Sequence, residues 1–328
     1  MNKNLFVSGI VLFIATTSLK PLVTPVNAQI PILTKQTQQL PKITITPTAK
    51  SQIQLISQGA EPRQALRIKP TIGTKEAVNM RMKIDLVTTI AGKTSPAFKM
   101  PTNVFKLNSV VKNVESNGDI NYEFAYSDVD VVGDTNLPSA VVAKMRAEMK
   151  KLQGLKGSII VDNRGQTKKV NFTVPPEIDP SFMQMINQMS SSIEQLSAPV
   201  PQEAVGIGAK WQVANGVNVS GMAINQVATY ELVDFKDDVA TLNVNIGQQA
   251  PKAQKLNLPQ SPKGITMTVK SYIGNGQGRM VISLNKLMPI SSTLTMRANS
   301  QMSTIVPSRK EELTLDQQMS MSLSIDSK

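Results

Sequence analysis

Apolar and polar residues alternate with period two over long stretches of this 328-residue chain, and that pattern limits its fold more than any other feature. Val78, Met80, Met82, Ile84 and Leu86 lie two apart, with Asn79, Arg81, Lys83 and Asp85 between them. Ile120, Tyr122, Phe124 and Tyr126 repeat the pattern, as do Leu313, Leu315, Met319, Met321, Leu323 and Ile325. Successive side chains of a strand point to opposite faces, so this spacing builds a sheet with one apolar and one wetted face, which favours antiparallel pairing. The stretches 292–306 and 312–325 each run about 14 residues, roughly 45 Å at 3.3 Å per residue. Strands that long stay in one sheet only if it twists and curls. Turn chemistry agrees at Asn117 and Gly118 and at Asp162, Asn163, Arg164 and Gly165. Gly274, Asn275 and Gly276 are read as a further hairpin turn.

A curled sheet has a concave face that must be covered, and two segments change period to supply the cover. Residues 139–153 place Val141, Val142, Met145, Met149 and Leu152 on one helical stripe, with Gly154 closing it. Residues 180–196 follow Asp179 as N-cap and Pro180 in the first turn, with Phe182, Met185, Ile186, Met189, Ile193 and Leu196 at 3–4 spacing. A hairpin, 158–161 and 169–174, separates them. The expected fold is mainly β (α+β). It is a strongly curved antiparallel sheet or incomplete β-barrel of about 10–12 strands, with two helices on its concave side.

The N-terminal region divides in two. Lys3, the apolar run 5–15 and the exit Val26, Asn27 and Ala28 read as a signal peptide, residues 1–28, cleaved after Ala28. An eleven-residue apolar run spans only about 16 Å as a helix, too short to cross a bilayer. Residues 29–62 carry seven Gln, five Thr and four Pro without sustained periodicity, and are read as a disordered tether. That leaves 63–328 as a single antiparallel β domain in an exported protein, periplasmic or extracellular. Cysteine and histidine are both absent, which removes disulfides, Ser-His-Asp and Cys-His catalysis, and the usual zinc and haem sites.

The remaining chemistry is sparse. Asp128, Asp130 and Asp134 cluster near the end of a strand, a composition expected of a solvated strand end rather than of an acid–base pair. Their spacing to Gly133 misses the calcium-loop pattern. Gly274, Gly276 and Gly278 lead into a strand rather than a helix, which excludes a phosphate loop. No catalytic residue, metal site or cofactor is expected. Lys144, Arg146, Lys150, Lys151, Lys156, Arg164, Lys168 and Lys169 face only Glu148 and Asp162 within their span, a local excess of +6 in a chain of net charge +12. Such a patch is a candidate for an anionic membrane or cell-wall surface. Nucleic acid is not expected, because no aromatics interleave the cations to stack on bases. Sixteen of the 17 methionines lie at or beyond Met80. Met80, Met82, Met145, Met149, Phe182, Met185, Met189, Met319 and Met321 are the candidate lining of an adaptable apolar cavity.

Two stretches of the C-terminal half carry a resemblance. One is Pro199, Val200, Pro201, Gly206, Gly208 and Trp211. The other runs from the glycines at 274, 276 and 278 through Met280, Val281, Ile282, Ser283 and Leu284 to Leu287, Met288, Pro289 and Ile290. Together they resemble a domain family of unknown function in exported bacterial proteins, over about 63–325. In outline the expected fold is similar to periplasmic lipoprotein carriers and lipid-binding lipoproteins, which implies an apolar cavity but no catalytic residues. The leading expectation is a non-enzymatic envelope protein that binds a lipid or other apolar ligand. The alternative is a structural or interaction module of the envelope with no small-molecule ligand.

Overall fold

The computed structural model of the chain describes residues 42–45, 51–174, 186, 199–219, 221–250, 253–256, 266–306 and 311–328. The elements are β1 (Lys42–Ile45), β2 (Gln52–Ser57), β3 (Gln64–Ala65), β4 (Lys75–Ile90), β5 (Lys93–Thr94), β6 (Phe98–Lys99), β7 (Thr102–Val114), β8 (Ile120–Val132), α1 (Ser139–Lys150), β9 (Lys156–Val161), β10 (Thr167–Thr173), β11 (Ala204–Val205), β12 (Lys210–Val219), β13 (Met222–Lys236), β14 (Val239–Gln249), β15 (Gln254–Leu256), β16 (Thr266–Ser283), β17 (Ser291–Val306) and β18 (Glu311–Ser327). Sixteen strands form one antiparallel sheet in the order β1-β10-β9-β8-β7-β4-β18-β17-β16-β14-β13-β12-β2. The short β5 and β6 pair with β4, β15 pairs with β16, and β3 and β11 form a separate two-stranded sheet. The sheet is two meanders, one from β4 to β10 and one from β12 to β18, joined where β18 pairs with β4. Among the described residues no helix is long and apolar enough to cross a membrane.

Local sequence explains most of the path. In β8, Ile120, Tyr122, Phe124 and Tyr126 are all buried, as their alternation requires. Phe124 meets Tyr126 and Phe172 edge-on, with ring centroids 6.0 and 5.7 Å apart, a favoured aromatic geometry. The 117–118 and 162–165 turns share one construction. Gly118 donates its N–H to the Glu115 carbonyl and Gly165 to that of Asp162, each with φ above +80°. A type I turn closed by a left-handed glycine fits these bonds. The β13–β14 connection is tighter: Asp237 and Asp238 both take positive φ.

Two expectations need correction. Gly274, Asn275 and Gly276 are not a turn; they lie in the middle of the 18-residue β16. A Cβ on Gly278 would sit 2.2 Å from the Thr293 carbonyl oxygen of β17. Close backbone approach, not a chain reversal, is therefore what excludes a side chain at that position. Segment 29–62 is not wholly a tether, since its parts 42–45 and 52–57 pair with β10 and β12 at the two edges of the sheet. Edge strands need only a backbone ladder, so a Gln- and Thr-rich composition does not prevent pairing. The helix expected over 180–196 lies outside the described residues except for Ile186, which is helical and fully buried. The expected strand number matches the eleven of the path between β1 and β2, and the short pairings raise the sheet to sixteen.

The one helix among the described residues, α1, covers an edge rather than the concave face. β9 pairs with β8 only over Ile120–Ala125. Beyond that point α1 packs against β8, and Arg146 donates to the Val131 carbonyl at 2.7 Å. A helix laid along an open strand edge blocks further pairing there. Met149, Leu152 and Leu155 then run from the helix end into the first apolar core.

The edge strands β1 and β2 do not pair, so the sheet does not close into a barrel, yet its two edges are tied together. Six residues, 46–51, join β1 at one edge to β2 at the other. Seven Cα steps span at most about 25 Å, so the edges are held within that distance. The β9–β10 turn bridges them: Val200 donates to the Arg164 carbonyl at 2.9 Å, and Gln166 to that of Ser51 at 3.0 Å. Trp211 of β12, fully buried and stacked on Tyr230, donates to the Pro199 carbonyl at 3.0 Å. At the same end the Glu76 carboxylate, 2% exposed, accepts from Leu287 and Met288 N–H at 2.9 and 3.0 Å. It thereby pins the β16–β17 turn to β4. Glu76→Ala leaves two N–H groups there without their acceptor and is expected to cost about 2 kcal/mol. Urea unfolding of the two proteins measures it.

Candidate ligand-binding surfaces

Strand register places the candidate methionines in rows on the inner face. One row runs Met82, Leu323, Leu294, Gly278, Val244, Tyr230, Trp211 across seven strands. The next runs Ile84, Met321, Met296, Gly276, Ile246, Ala228, Val213. The alternating glycines of β16 thus form the middle of the inner floor, where residues lacking Cβ permit tight bending.

Three apolar clusters occupy this face. The first is built on β7–β10, the second on β12–β14 around Trp211, and the third on β16–β18 around Met302. Met80 and Met149 pack against the first cluster and Met319 against the third. Met82, Met321 and Leu294 are half-buried and lie in none of the three. Met145 is buried on α1, away from these rows. Phe182, Met185 and Met189 lie outside the described residues. The methionines thus do not form one lining; two of them, with Leu294, mark the junction between cores.

A polar rung lies on the same face, in the register row Gln226, Gln248, Gly274, Ala298, Met319, which period counting did not reveal. Tyr272 donates to Gln248 at 2.8 Å, Gln248 donates to Gln226 at 2.6 Å, and all three side chains are buried. Burial pushes the Tyr272 phenol up to about 12, so it remains a donor at neutral pH. The signal was present in the sequence as polar residues at inward-facing positions of otherwise apolar strands.

Carboxylates from outside the basic span, Asp119, Asp128 and Asp130, offset about half of its excess charge. Arg146 pairs with Asp130 at 2.9 Å and Lys150 with Asp128 at 2.7 Å. Lys151 pairs with Glu148, Arg164 with Asp162, and Lys168 with Asp119. Lys144 also has a partner. Lys156 and Lys169 have no carboxylate partner among the described residues.

The Asp128 carboxyl is held below the usual range by hydrogen bonds from Lys150 and Lys106. Asp130 is held low by the Val131 N–H and Arg146. A carboxylate with a depressed folded pKa stabilises the fold above its unfolded value and loses that contribution as pH falls through the folded one. The docking of α1 on β8 is therefore expected to be intact at pH 5 and above and to weaken as pH falls below the ordinary aspartate range. Amide resonances of α1 followed by NMR from pH 6 to pH 2 check this; a flat profile contradicts it.

Two open grooves lie on the opposite, polar face. One, of about 790 Å³, is lined by Arg81, Lys83, Asn243, Asn245, Gln277 and Arg279 among others. The other, of about 720 Å³, includes Lys75, Glu123, Lys156 and Lys328. No group of three or more His, Cys, Asp and Glu side chains placed to hold a metal occurs among the described residues.

No curated protein matches the chain. Residues 183–288, which include the Pro199–Trp211 stretch and the glycine-rich stretch as far as Met288, match the model of a family of unknown function, DUF6263.

Proposed function

We propose that this is an exported, non-enzymatic envelope protein that holds an apolar or amphipathic ligand on the inner face of its curved sheet. In this reading residues 1–28 direct export and are removed after Ala28, leaving the protein periplasmic or extracellular. The observation that carries the proposal is the set Met82, Met321 and Leu294: apolar, inward-facing, yet half-buried where three filled cores meet. Flexible, polarizable methionines accept apolar partners of varied shape. The Gln226–Gln248–Tyr272 rung, farther along the same face, offers hydrogen-bonding groups to a polar head. Asp128 and Asp130, ion-paired and held ionised, are unsuited to acid catalysis near neutral pH. Surface docking through Lys156 and Lys169 is the remaining role for the basic span. A structural or interaction module without a small ligand is the second reading, favoured by the position of both open grooves on the polar face.

Native mass spectrometry of protein from its own host, followed by solvent extraction, separates the two. The first reading expects a stoichiometric lipid-sized adduct, abolished in a folded Met321→Trp variant. A bare mass, unchanged after incubation with host lipid extract, overturns it.

A further inference from the structure

The polar face carries cations that the fold itself does not use. Arg81 and Lys83 project from β4 and Arg279 from β16, and none has a carboxylate partner among the described residues. The acidic residue in the same groove, Glu231, is already paired with Lys210 at 3.3 Å. We propose that this groove docks an acidic polysaccharide, a chain of carboxylate-bearing sugars, with Arg81, Lys83 and Arg279 as its anion contacts.

Register sets the scale. Arg81 lies opposite Ser324, Ser324 opposite Thr293, and Thr293 opposite Arg279. Three inter-strand steps separate the two arginine backbones by about 14 Å, a spacing that suits successive charges of an extended ligand better than one compact anion. Lys83 lies about 7 Å along β4 from Arg81. An extended, multiply charged ligand engages all three at once. Between the cations lie the hydroxyls of Ser322, Ser324, Thr293 and Thr295, and Gln277, Asn243 and Asn245 flank Arg279; all donate to and accept from sugar hydroxyls. Arginine matches a carboxylate with two parallel N–H donors. The lining holds no aromatic ring, so bases would have nothing to stack on and a nucleic acid strand is the poorer fit. The groove shares the backbone strip of Leu294 and Leu323 with the inner-face row, but its test alters only Arg81 and Arg279 and leaves Met82, Met321 and Leu294 in place, so the two proposals fail separately.

The mature full-length chain is titrated with sodium alginate at low salt, with neutral dextran and single-stranded DNA in parallel. Arg81→Gln with Arg279→Gln is expected to weaken alginate binding more than about tenfold. The charge-matched Lys151→Gln with Lys169→Gln is expected to weaken it less than about threefold. Trp211 emission and thermal midpoint establish that both variants fold. Absence of alginate binding overturns the proposal. Equal losses in the two variants reduce it to net-charge attraction and overturn it too, as does DNA binding at least as tight as alginate binding.

Discussion

Trp211→Ala is expected to lower stability by about 3–5 kcal/mol, the range for truncating a fully buried tryptophan. A domain of ordinary stability has only about 5–15 kcal/mol to lose. The side chain is 0% exposed, and its ring lies 5.6 Å from that of Tyr230 at an interplanar angle of 15°. Its N–H donates to the Pro199 carbonyl, and the next residue, Val200, donates to Arg164 in the β9–β10 turn. Arg67 donates to the carbonyls of Pro201 and Gln202 in the same segment. Trp211 therefore fills the second core and anchors the segment that draws the two ends of the sheet together. Trp211→Phe keeps most of the ring contact but leaves the Pro199 carbonyl without its donor, at a smaller cost of about 1–3 kcal/mol. Since the chain has one tryptophan, far-UV circular dichroism in urea is the readout for both variants. Equal midpoints for alanine and wild type would remove Trp211 from the account of how the sheet curls.

Much of the fold was legible because alternation survives tertiary packing wherever one face is buried. Ile120 to Tyr126 and Leu313 to Ile325 read as strands, and they are strands with the expected parity. Both long C-terminal strands run within about two residues of their expected ends. The polar edge strands were not legible. The β2 pattern, Gln52, Ile53, Gln54, Leu55, Ile56 and Ser57, has its outward residues exposed, and its partner, β12, is far away in sequence. Nothing local distinguishes a six-residue edge strand from an extended spacer, because the stabilising ladder belongs to a partner about 155 residues away.

The sites show the same division between local and distant causes. Eight cations in one span gave a basic patch on paper, but Asp119, Asp128 and Asp130 reach them only because β8 and the preceding turn lie beside α1 and the hairpin. The three groove cations come from β4 and β16, nearly two hundred residues apart, and register alone brings them to one face. Methionine count pointed to an adaptable surface, while the division of Met80, Met149 and Met319 between separate cores could be seen only once the strands were paired.

Gly278→Ala is expected to cost more than about 3 kcal/mol, at the upper end of over-packing effects. The added Cβ would meet the Thr293 carbonyl oxygen at 2.2 Å and the Leu294 Cα at 3.0 Å. Both are backbone atoms of β17, so no side-chain rotation relieves the contact. β16 and β17 would have to separate in the centre of the sheet, at the rung that continues to Leu323 and Met82. The controls are glycines of the same kind of element in open space. Gly216 in β12 and Gly247 in β14 have nothing within 4 Å of a built Cβ, and neither has positive φ. Alanine there reduces the freedom of the unfolded chain without strain and is expected to stabilise by about 0.4–1 kcal/mol. Chemical denaturation of the three alanine variants then gives opposite signs for glycines that look alike in sequence. If Gly278→Ala matched the other two, β17 would not approach β16 closely, and the bend assigned to the glycine row would need another cause.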